Sequence, residues 1–425
     1  MIACWVLITG QSTVAQAELA EVGKPLPAWS AGELEIIHIN TGGGNSAFLI
    51  LPDGTTLLVD AGDLNRDGFV QDWAPLKLAP RRTSDAVTPG EVIRKIVVRE
   101  MPRGRSPRID YALITHFHVD HYGFVRPGLP TSRLGDYVLT GITEVGDAIP
   151  IGTLIDRGFP DYTTPVPLET RLGPTLANYR RFQAVQAARR GTVLATLDVG
   201  SDRQISLLHT PENYPGFHVL NVKANGEIAD GHGGHRSILD PKATVAADGS
   251  YLENALSQAL KITYGRFSYF TGGDMTGLGD GTVPDWYDTE TPVSAVVGPV
   301  DVLTLDHHGN RDATNANFLR ALQPRVIVQQ SYVSDQPGGE VVHRLISPKL
   351  WPGPRDIFST FVADETKVAL GPWLTRALTS ASGHIVVRVV SGGNQYFVYT
   401  VDDRTADMVV TSIHGPYESR SCPAC

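Results

Sequence analysis

Cysteine is scarce in this chain: three in 425 residues, Cys4, Cys422 and Cys425. That excludes a disulfide framework, and it excludes a thiolate-based centre anywhere in the body of the protein. The Cys-Pro-Ala-Cys tail lacks the strand and helix context of a redox motif, and it reads as a small terminal disulfide or two inert thiols. Positive charge is also short. Thirty-six Lys and Arg face 45 Asp and Glu, a net charge of −9, which excludes the basic field of a nucleic-acid-coating protein. No apolar run approaches the roughly 20 residues that span a bilayer. Lys and Arg are missing altogether before Lys24. Residues 2–10 are apolar and Ala15-x-Ala17 fits a signal-cleavage rule, so a secretory signal over 1–17, cleaved after Ala17, is expected. It places the mature chain outside the cytoplasm, secreted or periplasmic. The missing positive n-region leaves a plain N-terminal tail as the alternative.

What is abundant points to a globular enzyme. Forty-three glycines and 29 prolines imply many turns and short strands rather than long helices. The length leaves room for more than one domain, yet no repeat or internal linker divides it. One domain over 32–403 is expected, after a linker at 18–31 and before a tail at 404–425 with little core-forming pattern.

Histidine is concentrated in one place. Thr115-His116-Phe117-His118-Val119-Asp120-His121 sets three of thirteen histidines and a carboxylate within six residues, directly after the apolar run Tyr111–Ile114. In an extended chain leaving a strand, residues two apart share a face, so His116 and His118 can grip one ion. Asp120 and His121 can turn to a second. Neutral imidazoles and a carboxylate suit Zn²⁺, Mn²⁺ or Fe²⁺. A single loop histidine would need no explanation; this density reads as a metal site.

Two later stretches add donors. Phe270-Thr271-Gly272-Gly273-Asp274 ends a strand on a glycine turn, where Asp274 can project into a cleft and bridge two ions. Val302–Leu305 is a buried strand leading to Asp306-His307-His308-Gly309. Neighbouring side chains on an extended chain point apart. One of the two can therefore ligate while the other faces substrate; His307 is expected as ligand and His308 as the substrate-facing group that can protonate a leaving group, with the reverse order open.

His-x-His-x-Asp-His resembles the signature of the metallo-β-lactamase fold superfamily. Gly32–Gly62 (GELEIIHINTGGGNSAFLILPDGTTLLVDAG) resembles that fold's opening hairpins, Phe270–Asp274 its Thr-Gly-Asp turn with one extra glycine, and Val302–Gly309 its strand followed by His-His-Gly. Together these matches span roughly residues 32 to 390. They are most similar to the hydrolase domain of ComEC-type competence proteins and to phosphorylcholine esterases. The resemblance implies an α/β fold, a four-layer αβ/βα sandwich of two mixed sheets with helices outside. It implies two divalent transition-metal ions, Zn²⁺ in the first instance, held by His116, His118, Asp120, His121, Asp274 and His307 over a floor supported by Asp60. It also puts His343 in the place of a final histidine ligand, although Val342-His343-Arg344 replaces the usual Gly-His-Pro.

Several other segments bear on the site. Arg94–Arg108, with six basic residues, is either a solvated face or an anion-guiding rim. Leu176, Tyr179, Phe182 and Val185 predict a helix ending at Gly191, with Arg180, Arg181, Arg189 and Arg190 on its solvent face. Val193–Leu197 and Ile205–His209 read as strands, His209 being a strand-end residue. Asn225–Pro241, carrying His232 and His235, reads as a glycine-rich loop suited to a substrate-side flap. The expected activity is hydrolysis by a metal-activated hydroxide, with Asp120 central, on a phosphodiester such as nucleic acid or a phosphorylated envelope polymer. The runner-up is a β-lactam or lactone, and a non-catalytic extracellular binding protein on the same scaffold is the reading from a different class.

Overall fold

The computed structural model describes residues 20–278 and 284–420. The apolar N-terminal run and the cleavage expected after Ala17, Cys4, and the Cys422–Cys425 tail lie outside the described residues.

Strand sequences that are apolar almost without interruption are buried on both faces. β1 (Leu34–His38), β2 (Ala47–Ile50), β3 (Thr56–Val59) and β4 (Ile109–Ile114) have no exposed residue. With β5 (Ile151–Asp156) and β6 (Val193–Ala195) they begin a first sheet. A second sheet follows: β7 (Phe217–Ala224), β8 (Glu227–Ala229), β9 (His235–Ser237), β10 (Ala259–Tyr264), β11 (Phe267–Thr271), β12 (Val302–Thr304), β13 (Val326–Gln329) and β14 (Asp356–Ser359). β15 (His384–Val389), β16 (Gln395–Val401) and β17 (Val410–Glu418) return to the first. The strand orders are β17-β16-β15-β1-β2-β3-β4-β5-β6 and β14-β13-β12-β11-β10-β7-β8-β9. β3 to β6 run parallel, as do β11 to β14; the other pairs are antiparallel.

The helices are α1 (Arg66–Asp72), α2 (Pro89–Glu100), α3 (Val119–Tyr122), α4 (Ile142–Ala148), α5 (Leu168–Arg190), α6 (Glu290–Val297), α7 (Ala316–Leu322), α8 (Gly339–Ile346), α9 (Asp364–Leu370) and α10 (Pro372–Ala377). The period of two in the strands sorts side chains between cores. Ile37, Phe48, Leu58 and Ala112 meet α2, α4 and α5 through Ile93, Ile96, Val145 and Phe182. Ile36, Leu49, Leu57 and Leu113 meet Val219, Leu260, Val302 and Val326 of the other sheet. Beyond that sheet, Leu303 and Ile327 meet α6, α7 and α8 through Val293, Phe318 and Val341. Three cores between four layers make the αβ/βα sandwich. A histidine reaches across the inter-sheet core: His38 of β1 places Nε2 2.9 Å from Oγ1 of Thr304 on β12 and 3.3 Å from the Tyr269 hydroxyl on β11. Among the described residues no helix is long and apolar enough to cross a membrane.

Several expectations are corrected. The tail at 404–425 contains β17, an edge strand paired antiparallel with β16. Val410 and Tyr417 are its buried residues, so apolar patterning alone did not show it. The linker at 18–31 is also tied down, through Gly23 N–H to Val410 O and Leu26 N–H to Met408 O, both 2.8 Å. Ile205–His209 forms no strand. Its N–H groups go to side chains instead: Leu208 to Thr55 Oγ1 and His209 to Asp53 Oδ2. The segment Asn225–Pro241 is largely the β8–β9 hairpin on the sheet edge rather than a free flap. The predicted helix starts earlier, at Leu168, and bends at Gly173 (φ 54°) and Pro174; Gly191 (φ 68°) closes it as expected. Arg190 does not face solvent alone, since its guanidinium donates to the carbonyls of Gly146 and Asp147. The basic segment ends at Arg108, at the start of β4, whereas the histidine cluster follows the end of that strand. A six-residue strand, roughly 20 Å long, separates them, so Arg103, Arg105 and Arg108 do not rim the site.

Candidate metal centre

The chain brings five turns to one edge of the sandwich, each following a strand of the two parallel runs. Asp60 follows β3, His116 to His121 follow β4, Asp274 follows β11, His307 and His308 follow β12, and Tyr332 lies past β13. Ligand sites of parallel sheets lie beyond the carboxyl ends of strands for this reason: the loops there converge while the strands fix their roots. The glycine run 42–44 serves this packing rather than a phosphate. Asn45 N–H donates to the Asp120 carbonyl at 2.7 Å, and a Cβ on Gly62 would overlap that same oxygen. Gly273, at φ 59°, lets the Asp274 turn approach Thr115.

Two donor groups result. Asp120, His121, Asp274 and His308 form one, and His116, His118 and Asp274 the other, with donor atoms within 4.8 Å of one another in each. Asp274 belongs to both. Its Oδ1 lies 3.2 Å from His121 Nε2, and its Oδ2 lies 3.6 Å from His116 Nε2 and 3.4 Å from His308 Nε2. His116, His121, Asp274 and His308 are buried. The Nε2 atoms of His116 and His121 are out of solvent and have no hydrogen-bond partner among the described residues. Buried polar atoms are normally satisfied, so two bare imidazole nitrogens facing a shared carboxylate fit a cation. The set is entirely nitrogen and oxygen, which suits Zn²⁺, Mn²⁺ or Fe²⁺.

The electrostatics agree. Burial, the largest single influence, pushes the Asp274 and Asp120 carboxyls up, but the imidazoles around them, His121 first and then His308, together outweigh it and hold both well below the usual carboxylate range. Burial pulls His121 down, yet Asp274, Asp60 and Asp120 hold it well above the usual imidazole value; His308, under the same opposition, is raised to about 9. His116 is driven well below by burial and by His121. Carboxylates held ionised beside imidazoles call for positive charge between them, which divalent ions supply while releasing the imidazole protons.

The surrounding bonds fix the donors. Asp60 Oδ2 accepts from His121 Nδ1 at 2.7 Å and from the Thr115 hydroxyl at 2.9 Å, while Oδ1 accepts from Thr115 N–H at 2.7 Å. Phe117 N–H, between His116 and His118, donates to Glu253 Oε1 at 2.7 Å, and Arg157 clamps that carboxylate. The Tyr332 hydroxyl donates to Asp120 Oδ2 and lies 3.0 Å from His308 Nε2. Glu253, Arg157 and Tyr332 were not singled out from the sequence as site residues. For Tyr332 the available signal was its place beyond the end of a parallel strand.

The structure places His307 and His308 in the reverse of the expected order. After Leu305 the chain is not extended: His307 (φ 46°) and His308 (φ 57°) are both left-handed, so the rule that neighbours point apart does not apply. His308 Nε2 joins the donors, with Nδ1 2.9 Å from the Gln330 carbonyl. His307 has both nitrogens engaged, Nδ1 2.7 Å from Asp312 Oδ1 and Nε2 3.1 Å from Asn254 Nδ2, and lies 4.0 Å from Asp274. His343 is not brought to the centre. It sits on the exposed side of α8, its ring stacked on Trp373 at 4.6 Å. His209 lies 3.9 Å from Asp110 near the start of β4, and His235 pairs with Glu227 on the hairpin.

A cavity of about 630 Å³ opens over the donors. His118, Asp120, Asp274, His307 and His308 form its polar side, and Leu64, Phe69, Trp73, Leu76, Leu172 and Val333 an apolar one.

No protein-family model matches the chain, and no curated protein matches it in sequence. Solved structures do. A protein from Parabacteroides distasonis ATCC 8503 assigned as a metal-dependent hydrolase is 15% identical over 78% of this chain and 97% of its own, with a TM-score of 0.32. CmlA, a diiron β-hydroxylase from Streptomyces venezuelae, is 14% identical over 85% of this chain, which spans 55% of CmlA, with a TM-score of 0.36. Zn²⁺-bound PqqB from Methylobacterium extorquens is 13% identical over 83% of this chain and 99% of its own, also at 0.36. Likeness at this level assigns no activity to the chain, and the donor geometry stands on its own.

Proposed function

We propose that the protein is a dinuclear metal-dependent hydrolase acting on a small phosphodiester. The observation that supports this reading is Asp274, one carboxylate shared by two donor groups. Two divalent ions, when bound, supply a water of lowered pKa and positive charge for the oxygens of the scissile group. The chain's residues set the geometry. Asp60 orients His121, and Glu253 with Arg157 holds the backbone between His116 and His118. Tyr332 holds Asp120 beside His308. Its phenol is raised well above the usual range by burial and by Asp120, so it stays a donor at neutral pH. His307, on the cavity wall between Asp312 and Asn254, is the imidazole in place to pass a proton to a leaving oxygen.

Nucleic acid is less well supported than a small phosphodiester. Among the described residues and apart from the donors, the cavity lining offers one cation, Arg311, with Asp312 and Asp335 also in the lining, and no cationic track for a polyanion. The same apolar lining favours a second reading, hydrolysis of a lactone or β-lactam.

The deciding assay follows the metal-loaded protein against bis-p-nitrophenyl phosphate, single-stranded DNA, a lactone and nitrocefin. Asp120→Ala should lower turnover by roughly 10² or more while changing folding stability far less. Turnover of the lactone or nitrocefin alone moves the substrate class. Bound metal with no turnover of any substrate returns the chain to the binding-protein reading. Undiminished activity in Asp120→Ala removes the two-ion reading. Export with cleavage after Ala17 is proposed alongside; N-terminal sequencing from the native host tests it, and an intact Met1 in the cytosolic fraction refutes it.

A further inference from the structure

Between the Asp60 turn and α2 the chain inserts α1, a seven-residue helix with no buried residue. Trp73, just past it, is 61% exposed, and Val70 is 52% exposed. The rings of Phe69 and Trp73 stack, with centroids 6.3 Å apart and planes 26° from parallel. Single exposed apolar residues need no explanation, but a contiguous aromatic surface beside a polar centre does. Here the continuity is direct. Phe69 and Leu76 pack on Leu64, Val333 and Tyr332, and Tyr332 donates to Asp120 at the centre. One cavity is lined by both the wall and the donors.

The geometry points to a substrate subsite in which Leu64, Phe69, Trp73, Leu76, Leu172 and Val333 receive an aryl group carried beside the scissile bond. This rests on the metal-centre reading for where the reacting group lies. The cavity, at about 630 Å³, is in the range that encloses a whole small molecule, more than a phosphate or a strained ring alone requires. Stacked ring faces suit an aromatic occupant, which gains from offset or edge contacts beyond its buried area. Charge argues against the other occupants. A polyanion would need more than Arg311 against Asp312 and Asp335. An anionic lipid surface would need a cluster of basic residues around Trp73, whereas Asp67 and Asp72 precede it, the exposed Lys77 follows it, and Arg66 is spent on the carbonyls of Gly42 and Ala79.

The test measures binding, so it does not depend on turnover. Methylphosphonate and phenylphosphonate are titrated by calorimetry into the metal-loaded protein. The phenyl compound should bind about tenfold or more tightly, as expected when a ring's apolar surface leaves water. In Trp73→Ala that preference should fall to about threefold or less, with methylphosphonate affected far less. Trp73 is exposed, so this variant should keep the wild-type thermal midpoint; Phe69→Leu, which retains volume in the packed part of the wall, gives a second reading of the same preference. Equal affinity of the two phosphonates, an undiminished preference in Trp73→Ala, or no binding of either anion overturns the subsite. A phenyl preference with no turnover of any ester leaves the subsite standing and removes the hydrolase reading. Turnover without the preference does the reverse.

Discussion

Oδ2 of Asp60 accepts a 2.7 Å hydrogen bond from Nδ1 of His121, and both side chains are wholly buried. That bond turns the Nε2 lone pair of a neutral His121 towards Asp120 and Asp274, and it keeps the ring basic. Asp60 sits at φ 60°, a left-handed position that Asn also tolerates. Asp60→Asn should therefore fold normally and hold its metal about 10- to 100-fold more weakly, read by competition with a chelator. Unchanged affinity would show that the bond merely packs the floor.

One experiment separates the roles that the placement of the adjacent histidines suggests. His308→Ala removes a donor and should lower the bound metal measurably. His307→Ala should retain the wild-type metal content and lose activity, because His307 reaches the cavity while its nitrogens bond Asp312 and Asn254. Metal loss in His307→Ala with full content in His308→Ala would restore the order expected from the sequence.

How much of this was legible in the sequence follows from how local each signal is. β1 to β4 read correctly because their apolar runs are short, bounded by turns and buried on both faces. The donors of the histidine cluster come together because they lie within six residues, so chain connectivity alone holds them. The assignment of His343 rested on order along the chain; in space α8 carries it to Trp373. The His307 and His308 roles turned on two left-handed residues that no side-chain pattern announces. Tyr332 was missed because one tyrosine after a strand is ordinary until β13 is known to lie beside β12. β17 escaped because its ladder to β16, rather than apolar burial, keeps it in the sheet.

Two buried histidines away from the centre make the fold sensitive to acid. His38 spans the inter-sheet core, and His384 Nδ1 accepts the Asn40 N–H at 3.0 Å, which requires an unprotonated ring nitrogen. Burial lowers both to about 4. A folded value below the unfolded 6.5 means that the unfolded chain binds more protons between the two. The contribution is therefore complete above pH 6.5 and is lost as pH falls through about 4, at most roughly 3 kcal/mol per group. Urea unfolding of the metal-free protein at pH 7.5 and pH 5 should show the loss. It should be smaller in His38→Leu, where Thr304 and Tyr269 still bond each other at 2.8 Å. An equal loss in variant and wild type would assign the acid sensitivity elsewhere.

The central claim is that Asp274 joins two metal positions, and elemental analysis of the purified protein tests it most directly. After reconstitution and removal of free metal, the wild-type chain should carry close to two divalent transition-metal ions. Asp274→Ala, which takes a shared carboxylate from both donor groups, should carry at most one while its circular dichroism stays that of the folded protein. A wild-type content of one ion or none, or a full complement of two in Asp274→Ala, would contradict the account.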